Sequence, residues 1–212
     1  MQNIKRTKFN VCLLGEGHVG KTCIASVYTG HHFDENTLMT VGLDNYTSNE
    51  KFDGEEYKFK IFDTAGQERY RSISTNTIQI SDGFLVVFAV NDRESFDHIS
   101  YWINIIEEKT DFKKKVIILV GNKIDLQERE VTNEEAVNFA KEKDIKYFET
   151  SAKTGFGIKE SFKQLYEDVY KKYKENEKIN KAENNEMTVQ PVIQLNEKKH
   201  VNDESQKKKN CC

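Results

Sequence analysis

Gly15-Glu16-Gly17-His18-Val19-Gly20-Lys21-Thr22 fits the pattern G-x-x-x-x-G-K-[ST]. No other stretch narrows the fold so far, because such a loop works only where a strand runs into it and a helix leaves it. Lys8 to Leu14 supplies a mostly apolar strand, and Thr22 to Thr29 a short helix stopped by Gly30. In that setting the glycines let the backbone curl. The N–H groups of Gly15, Gly17, His18, Val19, Gly20, Lys21, Thr22 and Cys23 can then converge on phosphate oxygens. Lys21 brings a point charge for the β and γ phosphates, Thr22 a hydroxyl for Mg²⁺, and the helix its positive end. The plain alternative is a glycine turn of purely structural purpose, and the flanking strand and helix weigh against it.

The rest of the chain supports the same architecture. Residues 31–42 follow neither period and read as a loop near the phosphates. Leu43 to Phe52 is polar for a strand, as suits a sheet edge, and Asp53-Gly54 signals a hairpin. Glu56 to Phe62 alternates and ends at Asp63. Phe84 to Val90 and Val116 to Val120 are continuous apolar runs, expected of strands buried on both faces. Phe96, Ile99, Ile103 and Ile106 share one helical face. Thr132 with Glu135 opens another helix as a capping box, Lys146 to Thr150 is a short strand, and Ile158, Phe162, Leu165 and Val169 stripe a last helix. Strands alternating with helices imply an α/β fold, a mostly parallel sheet with helices on both faces. Ligands bind such sheets at the carboxyl ends of the strands.

The residues just past those strand ends carry the chemistry. Asp63 can hold Mg²⁺, Gly66 can bring a bare N–H against a terminal phosphate, and Gln67 can orient a water for in-line attack. An aspartate ending a strand is otherwise an ordinary turn residue. Asn122-Lys123-Ile124-Asp125 addresses the base. A carboxylate only accepts, so Asp125 suits guanine, whose N1–H and 2-amino group are adjacent donors. Asn122 can tie the loop together, the Lys123 stem can cover the flat base, and in Ser151-Ala152-Lys153 the Ala152 N–H can meet the guanine carbonyl. Phe33, a lone aromatic in a polar loop, is either a core anchor or an edge contact on the base.

Composition enters at the far end. From about Lys174 the chain turns to Lys, Glu, Asn and Gln and loses its aromatics, a composition expected to stay disordered. Residues 1–7 read as a polar arm, 8–174 as one domain and 175–212 as a tail. The formal net charge of −3 gives no general attraction to nucleic acid. No apolar run spans a bilayer and the start lacks a signal-peptide core, so a cytosolic protein is expected. Cys12 and Cys23 read as sheltered free thiols, whereas adjacent Cys211 and Cys212 call for another explanation.

These motifs resemble the small Ras-like GTPases, and among them the Rab family of vesicle-traffic switches. GEGHVGKT, DTAGQERYRS, GNKID and ETSAK stand in the family's order and spacing, and Trp102 and the Cys-Cys pair favour the Rab branch. The resemblance covers about Lys8 to Lys174 and implies six strands with one antiparallel edge. It implies GTP and GDP as ligands, Mg²⁺ held by Thr22, Thr40 and Asp63, and catalysis by Lys21, Thr40 and Gln67. It further implies a monomer with an exchange factor, a GTPase-activating protein and switch-region effectors as partners. Geranylgeranylation of Cys211 and Cys212 would come through a Rab escort protein. A GDP-dissociation inhibitor would then cycle the protein between the cytosol and the cytoplasmic face of an intracellular membrane. The other reading is a GTP-dependent, membrane-recruited binding module with little hydrolysis. Asn45, Phe62 and Thr77-Ile78-Gln79-Ile80 replace aromatics or other residues usual in the Rab effector patch, so known effectors are not carried over.

Overall fold

The computed structural model describes residues 6–35, 43–64 and 71–187. Its strands are β1 (Lys8–Leu14), β2 (Leu43–Phe52), β3 (Glu55–Thr64), β4 (Gly83–Ala89), β5 (Val116–Asn122) and β6 (Lys146–Glu149). Its helices are α1 (Lys21–Tyr28), α2 (Arg71–Ile80), α3 (Arg93–Asp97), α4 (Ile99–Lys109), α5 (Asn133–Glu142) and α6 (Ile158–Met187). The six strands form one sheet in the order β2-β3-β1-β4-β5-β6. All neighbours are parallel except β2 and β3, whose antiparallel register pairs Leu43 with Thr64 and Phe52 with Glu55. Asp53 and Gly54 turn this hairpin at φ 51° and 79°, the left-handed geometry that two-residue hairpins demand.

The period of two along β1 sorts the core into two layers. Phe9, Val11 and Leu13 meet Ile24 and Ala25 of α1 and Phe162, Leu165 and Tyr166 of α6. Cys12 and Leu14 face the opposite layer, with Ile78 of α2, Trp102, Ile103 and Ile106 of α4, and Ala136 and Ala140 of α5. β4 is buried along its whole length, which is why its sequence is apolar without alternation. Thr132 caps α5 by accepting from the Glu135 N–H.

Two expectations are corrected. The apolar face through Phe96 and Ile106 is not one helix: Asp92 caps the short α3, and the chain restarts at His98 into α4. Both helices still deliver their apolar residues to one layer. Disorder was expected from residue 175, yet helix α6 runs to Met187. Lys, Glu and Ala are good helix formers, and extending an existing helix avoids the cost of nucleation. A first unit ends at Glu177 and a second begins at Lys178. Among the described residues no helix is long and apolar enough to cross a membrane.

Because β1, β3, β5 and β6 run parallel, their carboxyl ends emerge on the same side. The loop after β1, Asp63, Asn122 and Ser151 all lie there.

Candidate functional site

The loop from Gly15 to Gly20 joins β1 to α1 in a conformation that two of its glycines make possible. Gly15 sits at φ 140°, and a Cβ there would overlap the Val87 carbonyl of β4. Gly20 caps α1 at φ 95°, and its Cβ would strike Asn122 Nδ2. His18 also adopts a left-handed φ of 60°, which costs a residue with a Cβ on the order of 1 kcal/mol or more. Nothing in the structure explains why a histidine stands there. Lys21 folds back over the loop, its Nζ donating to the carbonyls of Gly15 at 2.9 Å and Glu16 at 2.6 Å. Burial draws its ammonium down to about 8, opposed by the Asp63 and Glu16 carboxylates. Phosphate oxygens would favour that charged form further.

Asp63 is in register with Leu13, and the next residue, Thr64, fixes the end of β3 by donating its hydroxyl to the Leu13 carbonyl at 2.7 Å. The Asp63 carboxylate is fully buried and close enough to Lys21 to oppose the effect of burial on its ammonium. The buried Asp63 carboxylate at the end of β3 and the Thr22 hydroxyl at the start of α1 are both oxygen donors. This fits Mg²⁺, which keeps several waters and shares its shell with phosphates. Among the described residues no cluster of three or more His, Cys, Asp or Glu could hold a metal alone.

Asn122 joins the two halves of the site. It is 1% exposed, and its Nδ2 donates to the Val19 carbonyl of the phosphate loop at 2.8 Å. Its Oδ1 accepts from the Thr150 hydroxyl at 3.1 Å and from the Ala152 N–H at 3.2 Å. The Ala152 N–H, expected to meet a guanine carbonyl, is thus held by Asn122 in this structure. Lys123 takes a left-handed φ of 69°. Asp125 Oδ1 accepts from the Ser151 hydroxyl at 2.6 Å, and that hydroxyl also accepts from the Thr154 N–H. The base loop and the Ser151 loop therefore form one hydrogen-bonded unit.

Other expected residues find different surroundings. Phe33 is partly buried and packs on the α1–α6 layer. Lys153 pairs with Glu35 at 2.7 Å on the surface. Cys23 is half-buried, and burial pushes the Cys12 thiol far above its ordinary range, so Cys12 is inert. Thr40, Gly66, Gln67, Cys211 and Cys212 lie outside the described residues. Three residues join the site with no local sequence signal. Thr150 braces Asn122, while Trp102 and His98 reach Glu16 of the phosphate loop from 86 and 82 positions away. Only tertiary structure could bring them together.

Known proteins resemble the chain over most of its length. A family model described as the Ras family matches residues 10–171. The Ras-related protein Rab-13 of Canis lupus familiaris is 33% identical over 162 residues, covering 76% of this chain and 79% of its own. The Ras-related protein Rab-8 of Diplobatis ommata is 36% identical over 173 residues, covering 81% of each chain. Human Ras-related protein Rab-8B is likewise 36% identical over 173 residues, covering 81% of this chain and 82% of its own.

Proposed function

The chain belongs to the Ras family of small GTPases, and from that premise we propose that it is a Rab-type switch in vesicle traffic. It binds GTP, hydrolyses it to GDP and phosphate, and presents different surfaces in the two states. The observation that carries the reading is Asn122, whose amide joins a phosphate loop to a guanine-type base loop in one buried network. Lys21 neutralises charge on the β and γ phosphates. Thr22 and Asp63, with Thr40 by family likeness, would hold Mg²⁺, which would supply Lewis-acid stabilisation of the phosphate charge. Asp125 takes the two guanine donors, and Gln67 orients the attacking water.

By likeness to the Ras family, intrinsic turnover is slow. An activating protein that brings an arginine raises such rates about 10³–10⁵-fold. Exchange factors and effectors are the other kinds of partner that a Ras-family switch uses. The test is single-turnover hydrolysis. Wild-type protein turns over GTP slowly, and Gln67→Leu, which removes the water-orienting amide, slows intrinsic hydrolysis at least tenfold at unchanged GTP affinity. Unaltered intrinsic hydrolysis in Gln67→Leu would remove that residue from the mechanism.

The membrane half of the cycle rests on Cys211 and Cys212. Prenylation of both, delivered by an escort protein, gives the two-chain anchoring that one lipid alone does not. Lys207 to Lys209 add about 1 kcal/mol each near an anionic leaflet. A GDP-dissociation inhibitor then returns the GDP form to the cytosol. Mass spectrometry of the C-terminal peptide from cell membranes should show two prenyl groups, and an unmodified peptide there would rule the anchor out.

A further inference from the structure

A carboxylate is an unfavourable neighbour for phosphates. Glu16 is the second residue of the phosphate loop, and pointing inward it would repel the anion that the loop holds. The structure turns it aside. Its Oε1 accepts from the indole N–H of Trp102 at 3.2 Å, and His98 Nδ1 lies 3.4 Å from the same oxygen. Trp102 is 4% exposed and packed within the α4 layer, so its N–H is fixed in direction. The main chain of Glu16 is gripped from the other side by Lys21 Nζ at 2.6 Å. The loop is thus tied at three points: Lys21 at its start, Asn122 at Val19, and Trp102 through the Glu16 side chain.

We propose that Trp102, with His98 beside it, is a positioning residue for nucleotide retention. Through Glu16 it pins the first half of the phosphate loop in its binding curl and draws a negative charge away from the anion. The inference rests on the loop being the phosphate site for a guanine nucleotide. An unpinned loop must be ordered again at each binding event, and a loop free to open lets the nucleotide leave sooner.

The test is the rate at which the full chain, loaded with a fluorescent GDP analogue, releases it into excess GDP. Trp102→Phe keeps the buried ring and loses the donor, and Glu16→Ala loses the acceptor. Each should release the analogue about tenfold faster, the scale of one hydrogen bond to a charged group. The double variant should be no faster than the quicker single, because the same contact is gone. Glu16→Gln keeps an oxygen for the indole and should stay within about threefold of wild type. Trp102 is the only tryptophan, so its emission should also shift in Glu16→Ala. Wild-type release rates in both single variants would overturn the clamp, and so would effects that multiply in the double. A lowered melting temperature with unchanged release would mark Trp102 as merely structural and overturn it too. A wild-type chain that holds no guanine nucleotide would overturn the underlying reading as well.

Discussion

Asn122→Ala should cost the nucleotide-free domain about 3–5 kcal/mol and speed release of GDP by at least a hundredfold. The side chain is 1% exposed and makes three hydrogen bonds, at 2.8, 3.1 and 3.2 Å. Alanine leaves the Val19 carbonyl, the Thr150 hydroxyl and the Ala152 N–H without their partner. A buried polar group so stranded costs about 1–3 kcal/mol, and relaxation or an entering water recovers part of the total. Against a typical stability of about 5–15 kcal/mol this is a large fraction. At roughly 2–4 °C per kcal/mol for a domain of this size, the melting temperature should fall by about 10 °C or more. Asn122→Asp separates the contributions. It keeps the acceptor for Thr150 and Ala152 but sets a carboxylate oxygen against the Val19 carbonyl. Nucleotide release should therefore quicken even though two of the three bonds survive. A melting temperature within about 2 °C of wild type in Asn122→Ala would show that the two loops do not depend on this amide.

Asp125→Asn should change the base that is bound, with little effect on stability. The residue is exposed, and its bond to the Ser151 hydroxyl at 2.6 Å survives because an amide oxygen accepts as a carboxylate oxygen does. The Ser151 hydroxyl can then go on accepting from the Thr154 N–H, so the loop keeps its shape. The face toward the base does change. An amide N–H₂ meets the guanine 2-amino group as donor against donor, whereas xanthine has a carbonyl at that position. Sites built around such hydrogen bonds discriminate by about 10⁴–10⁵, and one altered pair should move the preference for GTP over XTP by about 10²–10³. Competition of the two triphosphates against a labelled GDP reports it directly. An unchanged preference would exclude Asp125 from base recognition.

The features legible in the sequence are those written in local periods. The strands, the hairpin turn at Asp53-Gly54 and the cap at Thr132 follow from short-range spacing. So does the placement of Asp63, Asn122 and Ser151 at strand ends, because a parallel sheet leaves little choice. The ties among those residues are different in kind. Nothing near Val19 announces that its carbonyl belongs to an amide 103 residues away, and nothing near Glu16 points to Trp102. Trp102 and Phe33 are apolar enough to be placed in a core by burial alone. One has a polar edge at work, and the other packs partly buried against the core. The break at His98 escaped because the apolar period continues unbroken across it, and a hydrophobic stripe does not record where backbone hydrogen bonds stop. The extension of α6 escaped because a composition too polar for a core can still prolong a helix that the core has started.

With the site proposed above, the strand order β1-β4-β5 would make the nucleotide a bivalent ligand. The phosphate loop leaves β1, the base loop leaves β5, and β4 stands between them, so the two half-sites are two strand spacings apart, about 10 Å. Guanosine or pyrophosphate alone would engage one half with modest strength. A ribose linking both converts the second contact into an intramolecular event at high effective concentration. Tenacious binding then needs no unusually strong single contact. It also carries a built-in weakness, since a partner that opens either half returns the other to the affinity of a fragment.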